Sequence, residues 1–185
     1  EKIIFNNTSD KIIFGKNYSY KKNINGFIFK DDLGEINLPF PNLSGDFQIS
    51  NVSTAVAVAR SLNQFKITDS HIKESITKIR SEGRLQKITR GKLRNYVSKN
   101  NQILIDGAHN ALAASVIEKY LENLNSRKKI IMLLGMMANK EHREFIQIFK
   151  NRVQSIITLN IPNQINFIDK DKLSKIAESC GIPSR

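Results

Sequence analysis

From residue 103 onward, short apolar runs alternate with segments whose apolar residues recur at helical spacing. No other feature restricts the fold as strongly. ILID at 103–106 is apolar up to its final acid, and Leu112, Val116, Ile117, Tyr120, Leu121 and Leu124 then mark one face of a helix. The wholly apolar run IIMLLG at 130–135 follows, then EHREFIQIFK as a helix and SIITL and INFI as strands. A last helix carries Leu173, Ile176, Ala177 and Cys180 on one face, with Asp169 or Asp171 as cap and Gly181 as stop. Strands and helices alternating at this spacing predict βαβ units in an α/β fold with an open, mainly parallel sheet. The unbroken apolarity of 130–135 predicts a strand covered on both faces. A further strand is expected after Gly181.

The first half has a different rhythm. KIIF at 2–5, KIIFG at 11–15, GFIFK at 26–30 and GEINL at 34–38 read as strands, with a turn at Asp32-Leu33-Gly34. Pro39 and Pro41 break that pattern. Val52, Ala55, Val56, Ala59 and Leu62 predict the buried face of one helix. Ile72, Ile76 and Ile79 predict that of a second, capped by Thr68, Asp69 or Ser70. SEGR at 81–84 reads as a hinge, with Gly83 free to take a positive φ. LQKIT and KLRNYV flank Arg90-Gly91 and predict a hairpin that opens the second half. Two domains follow, 1–82 and 83–185.

No apolar run approaches the ~18 residues needed to span a bilayer, and the start carries no secretory signal. The single cysteine, Cys180, cannot form an internal disulfide and fits a reducing cytoplasm. The net charge of +12 invites a polyanionic partner. The lysines are scattered, however, and neither an RNA-binding aromatic signature nor a zinc-ligand spacing is present. Neither nucleic acid nor a membrane is therefore expected as a partner.

Ligands of open α/β sheets bind at the carboxyl ends of the strands. Asp106-Gly107-Ala108-His109-Asn110 occupies such an end, at the turn into a helix. An aspartate there can accept hydrogen bonds from a ribose or an amine, and a histidine can stack, hydrogen-bond or carry a proton. The residues alone leave two roles open. One is a ligand site; the other is a helix cap by Asp106 or Asn110 beside a half-exposed His109.

The string DGAHN, between an apolar strand and an amphipathic helix, resembles the carboxyl-terminal domain of the Mur ligase superfamily, and within it the dihydrofolate synthase/folylpolyglutamate synthase branch. Cell-wall members typically carry Asp-Tyr-Ala-His there, so Gly107 and Asn110 favour the folate branch. GDFQISN at 45–51 resembles the family's Gly-x-x-Gln-x-x-Asn segment, and EGRLQ at 82–86 its Pro-Gly-Arg-Phe/Met-Gln linker. GMMANKEHREFIQIF at 135–149 is similar to its later strand-to-helix segment, with Lys140-Glu141 at the Lys-Asp pair. The four pieces stand in the family's order and span about 12–182.

The resemblance implies an ATP-dependent ligase that activates a carboxylate as an acyl phosphate for attack by the amine of L-glutamate, on dihydropteroate or a reduced folate. Residues 1–82 would be the end of the central ATPase domain, and 83–185 most of a Rossmann-like carboxyl-terminal domain that swings about 82–84 to close over ATP. Asn51 would contact adenine, Arg84 the phosphates and their transition state, Asp106 the ribose, and His109 the ribose or base. Gln48 and Asn110 are lesser contributors to the same ATP site. Lys140 is either a substrate contact or an exposed salt-bridging lysine. Magnesium is the implied metal, and a cytoplasmic monomer the implied state. Glu82 and Ala111 depart from prolines usual in the family, at positions where a proline pre-sets backbone shape without chemistry.

A phosphate loop of the G-x-x-x-x-G-K-[ST] type is not met. Gly15-Lys16 is followed by Asn17 and preceded at the required distance by Asp10; Gly91-Lys92 has Leu93 and Gln86 there. The phosphate loop and magnesium ligands are therefore expected in an amino-terminal region beyond this sequence, which would leave the chain inactive alone. Two other functions compete: another amide ligase of the superfamily, such as a cell-wall peptide ligase, and a non-catalytic nucleotide-binding module.

Overall fold

The computed structural model describes residues 11–124 and 129–185; the strand predicted at 2–5 lies outside them. The chain divides into two units, 1–105 and 106–185.

In the first unit β1 (Tyr18–Asn23), β2 (Gly26–Asp31) and β3 (Gly34–Pro39) form an antiparallel sheet in the order β1-β2-β3. The period-2 pattern puts Phe27 and Phe29 of β2 opposite Leu38 and Ile36 of β3, and all four are buried. Both hairpins turn through two residues, at Ile24-Asn25 and Asp32-Leu33. The second matches the predicted turn, and Asp31 Oδ1 accepts from the Leu33 N–H at 3.0 Å. At Gly26 a Cβ would meet the Leu38 carbonyl oxygen at 2.0 Å, so only glycine fits this register.

KIIFG does not form the expected strand. Gly15-Lys16-Asn17 turns the chain, with Asn17 Oδ1 accepting from the Ile13 N–H at 2.9 Å. The strand is instead YSYKKN, whose lysines disguise it. Tyr18 is buried and stacks on Phe29 with ring centroids 5.8 Å apart, and its hydroxyl lies 2.8 Å from Thr54 Oγ1.

Helices α1 (Phe47–Ser61) and α2 (Asp69–Lys78) complete this unit's core through Ile49, Val52, Val56, Ala57, Ile72 and Ile76. The predicted α1 face is rotated. Val52 and Val56 are buried, but Ala55 is exposed and Ser53 and Ala57 take its place. Thr68 caps α2 in a reciprocal arrangement with His71. Arg60 ties turn and helices together. Its Nε and Nη2 reach the two carboxylate oxygens of Asp31 at 2.8 and 3.2 Å, and its Nη1 reaches Asp69 at 2.8 Å.

The hairpin expected around Gly91 is not there. β4 (Gln86–Lys87) pairs antiparallel with β5 (Leu104–Ile105), and α3 (Lys92–Asn95) is a short helix. The Arg94 guanidinium donates to the carbonyls of Val97, Ser98 and Lys99, each at 3.0 Å. Those bonds brace the turn that follows α3, and the helical backbone of Lys92–Asn95 is what departs from the expected strand.

The second unit contains α4 (Ala111–Glu122), β6 (Ile131–Leu134), α5 (His142–Gln147), β7 (Ser155–Thr158) and α6 (Lys170–Ser179). β6 and β7 are parallel, as expected of a βαβ unit. Where a further strand is expected after Gly181 there is a single parallel bridge, Ser184 to Ile156, with the Pro183 carbonyl accepting from the Ile156 N–H at 2.9 Å. Phe145, Ile146, Phe149, Ile156, Leu173 and Ala177 form its interior. Asp169 caps α6, accepting from the N–H groups of Asp171 and Lys172. Arg152 pairs with Glu118 and Glu122 of α4; the hydrogen bond to Glu118 pushes its pKa up from the ordinary arginine value.

Three expectations fail in this unit. Ile131 and Leu133 are 55% and 65% exposed, so β6 is covered on one face only among the described residues. Leu112, assigned to the buried face of α4, is exposed. INFI makes one antiparallel bridge, Phe167 to Met137, rather than a strand, and Ile165 faces solvent.

Replacing Arg60 with Ala leaves Asp31, 12% exposed, without its cation. Urea unfolding should show a loss of about 2–3 kcal/mol, between the surface-pair and buried-pair limits.

Candidate functional site

The candidate residues of the first unit begin at the entrance to α1. Gly45 takes φ +100°, and a Cβ there would meet the Phe47 ring at 2.4 Å and Leu85 Cδ1 at 3.3 Å. Only a glycine allows this approach. One turn into α1, Asn51 Nδ2 donates to Gln48 Oε1 at 3.1 Å. Gln48 is buried and Asn51 exposed. The buried glutamine thus orients an outward amide that still offers both a donor and an acceptor, the combination an adenine edge requires.

Leu85 brings the hinge to the same place. It is 1% exposed and holds φ +44°, a left-handed conformation rare for a branched side chain. That conformation costs about 1–2 kcal/mol, and burying the side chain returns about 2 kcal/mol. The Gly83 N–H donates to Gln86 Oε1 at 2.9 Å, closing a small loop, and Gly83 has the anticipated positive φ. Arg84 lies in that loop, exposed, with no ion pair or side-chain hydrogen bond among the described residues. Leu85 and Gln86 thus position an arginine; EGRLQ contains both, but nothing in its letters marks them as supports.

The second unit opens with DGAHN. Asp106 is half-buried, and its Oδ1 accepts from the Ala108 N–H at 2.7 Å, making a tight turn. His109 is exposed, with Nδ1 3.0 Å from the Gly107 carbonyl oxygen. A proton on Nδ1 makes that contact a hydrogen bond and leaves Nε2 as an outward acceptor. The cap role falls to Asn110, whose Oδ1 accepts from the Ala113 N–H at 2.9 Å. Capping therefore occupies Asn110 and leaves Asp106 and His109 to the turn. Lys140 is half-buried and forms no salt bridge among the described residues, contrary to one of its two expected roles.

Within their units, then, the chain joins Gln48 to Asn51, seats the Arg84 loop beside Gly45, and groups Asp106 with His109. A surface cleft of 520 Å³ at the β1–β2 turn is lined by Asn23, Ile24, Asn25, Asn37, Leu38 and Pro39, none of them a candidate. Among the described residues no group of three His, Cys, Asp or Glu could hold a metal ion, and no helix is long and apolar enough to cross a membrane.

The family model for the Mur ligase glutamate ligase domain matches residues 83–183. No curated protein sequence matches. Among solved structures, Escherichia coli FolC in complex with DHPP and ADP is similar at TM-score 0.72 and 21% identity, over 93% of this chain and 37% of that one. Mycobacterium tuberculosis folylpolyglutamate synthase complexed with ADP and AMPPCP is similar at TM-score 0.73 and 16% identity, over 93% and 39%. A bifunctional folylpolyglutamate synthase/dihydrofolate synthase with Mn, AMPPNP and L-glutamate bound gives TM-score 0.68 and 18% identity, over 93% and 38%. The chain thus spans under two fifths of the length of these structures, and the likeness at this identity is one of fold. With the family model covering more than half of its residues, the chain belongs to the Mur ligase family, through the glutamate ligase domain.

Proposed function

We propose that this chain is the nucleotide-gripping part of an ATP-dependent ligase that adds L-glutamate to dihydropteroate or a reduced folate, acting within a longer cytoplasmic polypeptide. The observation that carries this reading is the approach of buried Leu85 to Gly45, which sets an exposed arginine loop beside the entrance of the helix that presents the Asn51 amide. The bound ADP and AMPPNP in the structures of similar fold support it.

In this reading 1–82 is the end of a central ATPase domain and 83–185 the glutamate ligase domain. Bound ATP supplies a phosphoryl group that activates a carboxylate toward an amine. Asn51 reads the adenine edge with an amide that Gln48 holds in place. Arg84 offers a rigid, permanently charged fork to phosphate oxygens, suited to bidentate contact and to charge that spreads during transfer. Asp106 accepts from ribose hydroxyls, and His109 lies along the same turn with a free acceptor. The Gly107-Asn110 spelling of the turn favours a folate acceptor over a muramyl peptide. The magnesium ligands and phosphate loop belong to the rest of the polypeptide.

The full-length protein should release ADP when given L-glutamate with dihydropteroate or a reduced folate. Stimulation by a UDP-muramyl acid alone would move the assignment to a cell-wall ligase, and nucleotide binding without turnover would make the domain a binding module. Arg84→Ala should lower kcat by at least about 10²-fold at unchanged melting temperature; near-normal turnover would remove Arg84 from the reaction. Asn51→Ala deletes one hydrogen-bonding group and should raise the Kd for ATP about tenfold by calorimetry. An unchanged Kd would count against the adenine contact.

A further inference from the structure

The segment between Arg84 and Asp106 has a feature that the ligase reading does not use. Residues 83–105 carry Arg84, Lys87, Arg90, Lys92, Arg94 and Lys99 and not one Asp or Glu. The segment is ordered rather than trailing. Gln86↔Ile105 and Lys87↔Leu104 pair at its base, and the Ile88 N–H donates to the Ile103 carbonyl at 3.0 Å. Arg94 is engaged internally by the three carbonyls at its far end, and the Asn101 N–H closes that end on the Ser98 carbonyl at 3.0 Å. Lys87, Arg90, Lys92 and Lys99 are exposed and form no ion pair among the described residues. The excursion is a braced arm with unpaired cations on it.

We propose that this arm binds the γ-linked oligoglutamate chain of the acceptor substrate, a polycarboxylate. This rests on the folate-ligase reading. Each added residue gives such a chain one more carboxylate on a flexible backbone. Three of the four unpaired cations are lysines, compact point charges that pair with separate carboxylates without the planar geometry a guanidinium requires. The arm is bounded in sequence by the two residues assigned to the nucleotide, Arg84 and Asp106. Exposed pairs of this kind contribute about two- to threefold each, so the effect builds with tail length and is screened by salt. Tyr96 and Leu93, 86% and 54% exposed on the same arm, would suit a stacked nucleobase instead, and the test separates the two.

The probe is γ-linked tetraglutamate without a pteridine, titrated into the full-length protein without nucleotide, so that binding is read independently of turnover. The variant replaces Lys87, Arg90, Lys92 and Lys99 with Gln and leaves Arg84 and Arg94 in place. Wild type should bind the probe about tenfold or more tighter than the variant, and the difference should shrink severalfold between about 0.05 M and about 0.3 M salt. The pair Lys92→Gln/Lys99→Gln, confined to the arm's far end, should lose about fourfold and serves if the larger change impairs folding. Equal affinity of wild type and both variants overturns the proposal. So does a short single-stranded oligonucleotide that binds the arm tighter than tetraglutamate and loses affinity in the variants when tetraglutamate does not. Arm-dependent tetraglutamate binding without folate-dependent ADP release sinks the ligase reading and leaves the binding surface standing. ADP release with no arm-dependent binding sinks the surface alone.

Discussion

The organisation of the first unit's candidate site depends on one side chain that lies outside the chemistry. Leu85 sits in a conformation its own backbone disfavours, and its burial beside Gly45 offsets that strain. The contact works because position 45 has no Cβ. Two segments 40 residues apart in sequence, GDFQISN and GRLQ, thereby become one surface. A bulkier residue at 45 or a smaller one at 85 would leave each half of the arrangement intact and separate them. Strain of this kind persists only where packing over-determines it, which is the condition at a functional loop.

The second unit uses a different device. DGAHN divides its polar groups between structure and exposure: Asn110 satisfies the helix start, and Asp106 bends the chain by accepting from Ala108. His109 is held at Gly107 with its second nitrogen outward. Small residues at 107 and 108 keep the turn tight enough for all three. The cap falls to Asn110, and the acid and the imidazole stay on the turn.

Ionic contacts brace both units without marking the site. Arg60 gathers Asp31 and Asp69, and Arg152 gathers Glu118 and Glu122, so these cations have partners nearby. The cations of 87–99 have none among the described residues, apart from the carbonyl-bound Arg94. Residues 83–105 are distinguished by carrying six cations and not one Asp or Glu, which net charge alone does not reveal.

Sequence by itself determined the elements whose periodicity is strong. Phe27, Phe29, Ile36 and Leu38 alternate, Ile72 and Ile76 lie on one helical face, and Leu173, Ala177 and Cys180 on another. The helix starts were legible to within a few residues, because a side chain bonding two or three residues away leaves a local signature; the structure chose Thr68 over Asp69 and Ser70, and Asp169 over Asp171. Tertiary structure alone decided the rest. YSYKKN is a strand only because Tyr18 and Tyr20 find aromatic partners across the sheet. KLRNYV is not a strand because Lys92–Asn95 winds into a short helix, braced by Arg94 on the carbonyls of Val97, Ser98 and Lys99, and β4 waits for a partner beyond the arm at Leu104 and Ile105. Arg84, Asp106 and His109 could be picked out as letters, but Leu85 and Gly45 could not. Their roles exist only as a contact between distant segments, and a contact made across 40 residues leaves no period in the sequence.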